Sequence, residues 1–184
     1  MQRLLLILAL CAVALSGMAQ KYWTQEGHIR FFSEAPLEDI AADNHEVSSI
    51  VDLETGQLVF QMRMTDFQFE KALMQEHFNE KYVESAIYPK STFQGTVLNI
   101  DSFERTPGAV FEARIEGDLT IKGTTRPVTT TGTLTVQRRD AIRGECVFTI
   151  QLEDYGVKIP KLLVENIAEE VEIFVDLLYE PYTE

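Results

Sequence analysis

Few residues in this chain combine a reactive type with a useful spacing. Glu76, His77 and Glu80 fall close together, and His77 with Glu80 at i, i+3 would supply half of a helical metal site. Sites of that kind take a second such pair from another helix, and the sequence offers none. The trio reads instead as a solvated helix edge or a cap over a barrel mouth. His28 and His45 fall on outward or loop positions and read as surface histidines. Cys146 is the one cysteine outside the N-terminal apolar run. It has no internal disulfide partner, and no Cys/His set exists for structural zinc. On an inward strand face it reads as a small buried hydrophobe. No G-x-S-x-G, H-E-x-x-H or glycine-rich phosphate loop occurs. An active site needs several converging titratable groups, and the inward faces carry almost none. A hydrolase or metal enzyme therefore ranks last among the readings, and no cofactor or metal is expected.

The inward faces themselves are the informative feature. Gly95, Ala109, Ala113, Gly117, Gly132, Gly144 and Cys146 are small, and Phe93, Phe111, Ile115, Leu119, Phe148 and Ile150 are interleaved with them. An eight-stranded barrel just holds its own side chains or one small ligand, so small inward residues would leave a dry apolar cavity. The competing reading is that rings and a helix fill the space and the glycines only relieve curvature. The candidate ligand wall is Phe60, Phe93, Gly95, Phe111, Ala113, Ile115, Gly117, Leu119, Cys146 and Phe148, with Met74 and Phe78 from the helix.

These residues are positioned by strands. Ala109 to Lys122 alternates small or apolar residues with mostly polar ones over its whole length, the mark of a long half-buried strand. Gly123 to Pro127 reads as a turn, Val128 to Val136 as the next strand, and Arg138-Arg139-Asp140 as its polar connection. Ile142 to Leu152 and Val171 to Tyr179 alternate in the same way. In the N-terminal half, Ile29 and Phe31 face inward against His28 and Arg30, Val47 to Leu53 alternates, and Glu54 to Gln57 is a hairpin turn. Leu58, Phe60, Met62 and Met64 share a face before a phase change at Phe67, which predicts a bulge or bend. Ser91 to Ile100 is a further strand. Lys71 to Val83 has a different period: Met74, Phe78 and Tyr82 recur every four residues, giving an amphipathic helix of about three turns. A short helical turn is also expected at Leu37 to Ala42. Asp154 to Asn166 reads as an irregular rim segment, where function tends to sit. The expectation is an all-β fold of eight antiparallel strands and one amphipathic helix. The long Ala109 to Lys122 strand favours a barrel over a sandwich, because barrel strands are tilted and long.

The chain also carries the layout of a secretory signal peptide. Arg3 precedes an apolar run from Leu4 to Leu15, and Gly17 and Ala19 fit a cut after Ala19. That run is shorter than the roughly 20 residues a membrane helix takes, and no other stretch is long and apolar enough to span. Residues 20–184 then form one domain in the periplasm or secreted. Net charge is −13 over the whole chain and one unit more negative once Arg3 is removed, so nucleic acid is an unsuitable partner.

Two blocks carry a resemblance. Glu76 to Ser85 followed by Tyr88-Pro89-Lys90-Ser91-Thr92-Phe93, and Gly117 to Thr129 (GDLTIKGTTRPVT), together resemble the YceI-like family, over roughly residues 57–180. The resemblance implies a lipocalin-like barrel exported to the periplasm, with a long polyisoprenoid chain bound inside and no catalytic residues to carry over. The likeness thins before the helix, where Ser33 to Asp52 stands in place of the family's histidine-containing strand and G-x-F-x-x-F-x-G stretch, so one wall of the channel is expected to differ. The partner expected is an apolar small molecule, for which the resemblance implies a lipid or isoprenoid. The alternative is a solidly packed envelope interaction module. The sequence leaves the oligomeric state open.

Overall fold

The structure is a computed structural model that describes residues 21–138, 141–159 and 168–182. The apolar leader, its cut after Ala19, the Arg139-Asp140 link and the later part of the rim segment lie outside the described residues. In chain order the elements are β1 (Lys21–Ser33), β2 (Ile40–Asp52), β3 (Gln57–Arg63), β4 (Gln68–Phe69), α1 (Ala72–His77), β5 (Lys90–Val97), β6 (Val110–Ile121), β7 (Thr124–Arg138), β8 (Ala141–Gln151) and β9 (Glu170–Pro181).

Eight long strands pair antiparallel in the order β1-β2-β3-β5-β6-β7-β8-β9, and β9 returns to β1. The sheet thus closes on itself and has no free long edge. The two-residue β4 pairs with the start of β2, through Ala42–Phe69 and Asp43–Gln68, while β3 pairs with its later part, Ser48 to Val51. The phase change seen in the sequence lies between them. Met64–Asp66 is a single 3-10 turn rather than an inserted bulge, with the Met64 N–H donating to the Pro89 carbonyl at 2.9 Å. Buried Asn44 bridges the same gap, its Nδ2 donating to the Arg63 carbonyl at 3.0 Å.

Two local expectations need correcting. Leu37 to Ala42 is not helical: Ile40, Ala41 and Ala42 already pair with Ser33, Phe32 and Phe31 of β1, so the strand ladder overrides the intrinsic helical preference of the alanines. The turn read at Gly123 to Pro127 is only Lys122-Gly123. Both residues have positive φ (48° and 73°), the two-residue hairpin geometry that glycine favours. β7 begins at Thr124, and Pro127 sits inside it opposite Asp118. Proline is tolerated there because β7 pairs with β8 only from Gly132 onward, so the missing N–H removes no ladder bond. Gly123 is required by packing as well, since an added Cβ would lie 2.7 Å from Cε1 of Tyr88. Lys122 Nζ also reaches Glu84 at 2.8 Å. The two sequence blocks thus touch in space, at the end of the barrel that carries the helix.

The sheet interior divides along its axis. At the end away from the helix, Tyr22, Val51, Leu53, Val97, Leu134, Val136, Ile142, Leu177 and Tyr179 are buried. A 3-10 turn at Ile100–Ser102 closes this end, with Ile100 buried and Phe103 packed against Phe111 at 5.4 Å. Tyr179 is fully enclosed; its hydroxyl pairs with Ser49 Oγ at 2.8 Å, and Ser49 Oγ also lies 2.9 Å from the Val59 carbonyl. Burial pushes the Tyr179 phenol well above the usual tyrosine range.

Candidate functional site

The other half of the barrel is hollow. It encloses an apolar cavity of about 400 Å3, within the size range of small-molecule sites. Its wall comes from the helix-side ends of the strands: Phe60 and Met62 of β3, Ser91 and Phe93 of β5, Ile115, Leu119 and Ile121 of β6, Val128 and Thr130 of β7, Cys146, Phe148 and Ile150 of β8, and Val171, Ile173 and Val175 of β9. Strand periodicity puts these residues inside because every second side chain faces the same way.

The helix closes the mouth. α1 runs directly into a π-helical turn, Phe78–Tyr82. Met74 and His77 of α1, Phe78 and Tyr82 of the turn and Val83 just after it all line the cavity. Phe78 is the hub of a four-ring cluster: its ring centroid lies 5.7 Å from Phe31, 5.5 Å from Phe67 and 5.0 Å from Phe69. An ion pair from Lys71 to Glu38 ties the start of α1 to the loop between β1 and β2. Six α-helical residues with no side-chain N-cap are marginal alone, so the lid is held by its rings.

Polar groups in the wall are few and matched. Ser91 Oγ donates to the Thr120 carbonyl at 2.7 Å, and Ser33 Oγ accepts from the Ala168 N–H at 3.1 Å. Desolvation pushes the Cys146 thiol up to about 11, so it stays protonated at neutral pH and is a poor nucleophile. Glu38, His77 and Tyr82 contribute from the mouth, and burial raises the Tyr82 phenol. This arrangement can hold an apolar body inside and a polar group at the helix end.

Of the twelve candidate wall residues, eight line the cavity: Phe60, Phe93, Ile115, Leu119, Cys146, Phe148, Met74 and Phe78. Gly95, Gly117, Ala113 and Phe111 do not. An added Cβ on Gly95 would lie 2.6 Å from the Phe93 ring. One on Gly117 would lie 2.7 Å from it and 2.5 Å from the Gln94 carbonyl oxygen. The glycines therefore make room for the Phe93 ring lying against the wall and open no space for a ligand. Ala113 is buried, and Phe111 packs on Phe103, both toward the filled end. Sequence reasoning missed Phe31, Phe67 and Phe69 as a mouth cluster; the phase change at Phe67 was the signal. His77, read from the sequence as a solvated helix edge or a cap over the barrel mouth, lines the mouth of the cavity. Ser33 to Asp52 supplies the wall strand β2 and contributes Ser33, Glu38 and Ile40 to the lining. Of the rim segment, Val157 reaches the cavity, beside Leu152 just before it, and residues 160–167 lie outside the described residues. Among the described residues no helix is long and apolar enough to cross a membrane.

A family model for the YceI-like domain matches residues 24–179. The chain belongs to the YceI-like family. The match extends across β1 and β2, where the two sequence blocks do not reach. Among solved structures, the YceI-like chain resembles a polyisoprenoid binding domain from Saccharophagus degradans implicated in plant cell wall breakdown. That pair has TM-score 0.77 at 13% identity over 90% of this chain and 100% of the other. Burkholderia cenocepacia BcnA gives TM-score 0.69 at 18% identity, covering 83% and 95% of the two chains. The Campylobacter jejuni YceI protein gives 0.60 at 12% identity, covering 77% and 85%. At these identities the likeness establishes the shared barrel. Comparison with curated proteins finds no match.

Proposed function

We propose that this YceI-like protein is an exported binding protein that holds an apolar, lipid-like molecule, an isoprenoid being the leading class, in the hollow half of its barrel. The observation that carries the reading is the cavity of about 400 Å3 with an apolar wall and with Glu38, His77 and Tyr82 gathered at the mouth. A buried alkyl or prenyl chain gains about 0.8 kcal/mol per methylene, less the cost of ordering it. The Saccharophagus degradans domain of the same fold is a polyisoprenoid binding domain, which supports the ligand class. Export rests on the signal-peptide layout before Gln20. Non-catalytic action fits a wall whose one thiol is held protonated.

The test is to purify the protein from its native envelope or medium, sequence its N-terminus, and extract it with organic solvent for mass spectrometry. A stoichiometric apolar compound and an N-terminus at Gln20 are expected. Repeated recovery of stable, empty protein would overturn the carrier reading in favour of an interaction module. An intact leader in the cell interior would overturn export.

A further inference from the structure

The outer face of the barrel carries a cluster that the cavity does not use. Asp43 and His45 lie two apart on β2 and face outward, and His28 faces outward from the neighbouring β1. His28 Nε2 lies 2.7 Å from Asp43 Oδ1, and the His28 and His45 rings stack with centroids 4.3 Å apart. One ligating atom from each of the three residues falls within 4.8 Å of the other two. Only three histidines exist in the chain, and two of them meet here. The register explains how. Between the pairs Gly27–Val47 and Ile29–Asn44, β1 has one residue, His28, and β2 has two, His45 and Glu46. This bulge turns both His45 and Glu46 outward, and bulges of this kind re-aim side chains. It is held from inside by Asn44, whose Oδ1 accepts the Glu46 N–H at 2.9 Å.

We propose that His28, Asp43 and His45 form a surface site for one divalent transition-metal ion, Zn2+ foremost. Two imidazoles and one carboxylate suit zinc, nickel or copper. A single carboxylate is too few oxygens for calcium or magnesium, whereas the positive charge of Arg30, opposite Asp43 in register, opposes every dication alike. Metal–ligand bonds of about 2.0–2.2 Å place neighbouring ligand atoms about 3 Å apart. The His28–Asp43 pair is already close to that spacing. The stacked rings must rotate so that their in-plane lone pairs converge; His45 is exposed and His28 partly so, leaving room for the turn. Asp176, opposite His28 on β9, is taken up by Arg143 and stays outside the set.

Untagged, full-length mature protein, stripped with a chelator, is titrated with Zn2+ alone by calorimetry, with Mg2+ and Ca2+ in parallel. One equivalent of Zn2+ is expected to bind, with no uptake of Mg2+ or Ca2+. His28→Ala and His45→Ala should each weaken Zn2+ binding at least about tenfold, the scale of losing a metal-site partner. On the unmutated protein, imidazole NMR signals of His28 and His45 should move on adding Zn2+ while that of His77 stays; this keeps the test decisive if a variant misfolds. Absence of binding, Zn2+ uptake that survives both substitutions, or a shift confined to His77 overturns the proposal.

Discussion

Toward the end away from the helix, β7, β8 and β9 present Leu134, Ile142 and Tyr179 to the interior; toward the helix the same strands present Thr130, Phe148 and Val171. The first group is buried in a filled core, while the second lines the cavity of about 400 Å3. Glycine count does not separate them. Gly95 and Gly117 lie where the Phe93 ring rests, and Gly144 lies beside Tyr179, with an added Cβ 3.2 Å from its ring. What separates the halves is where the closing segment puts its side chains. After β5, the Ile100 turn sends Ile100 and Phe103 onto the filled end. After β4, α1 and the π turn that follows it cross the mouth, and the Phe78 ring packs with Phe31, Phe67 and Phe69 at the rim. A barrel of fixed strand number is thus filled at one end and left open to a guest at the other by its connections.

The sharpest way to break this comparison is to truncate the filled half. Tyr179→Ala removes a fully enclosed ring and should cost about 4 kcal/mol in urea unfolding; Phe148→Ala, whose ring already borders empty space, should cost less than half of that. Equal losses would mean that the halves are packed alike. Next in size is Gly117→Ala. Its Cβ would meet backbone as well as the Phe93 ring, so a loss of about 2–3 kcal/mol is expected, and adding Phe93→Ala should not restore stability.

A pH series sharpens the comparison further. Burial raises the Cys146 thiol from 9.0 to about 11, so the folded state favours the protonated form. Its contribution is complete below about pH 9 and is lost as pH rises through 11, about 3 kcal/mol in all. Chemical unfolding from pH 8 to 11 should show this loss, and Cys146→Ala should remove it. A bound apolar ligand should also slow alkylation of Cys146, which lines the cavity. The smallest expected effect is Val171→Phe, which grows into the cavity and should change stability by less than about 1 kcal/mol while abolishing co-purified lipid. The matching enlargement in the filled half, Ala113→Leu, should cost about 1–3 kcal/mol. A melt that ranks Val171→Phe below Ala113→Leu would contradict the hollow-half assignment.

Much of the fold is legible in the alternation itself. Val171 to Tyr179 and Ile142 to Ile150 alternate so regularly that the interior set follows from period two alone, and Met74, Phe78 and Tyr82 mark the lid by a period near four. Turn details are less legible. Pro127 suggested a break, yet β7 runs through it because its β8 side is unpaired there. Leu37 to Ala42 looked mildly helical until β1 supplied a strand partner.

The sequence by itself determined which residues face inward and that they are apolar, because a strand's side chains alternate whatever its neighbours are. It also determined the family, through two blocks that meet in space, the Tyr88 ring against Gly123 and Glu84 on Lys122. Only the tertiary structure decided which inward residues touch a cavity. Small residues announce room, but whether a ring such as Phe93 lies into that room depends on the register of β5 against β6 and on what the adjacent connection inserts. The same holds outside the barrel, where a one-residue bulge in β2 brings His45 onto His28. Register is a property of paired strands, and no single strand carries it.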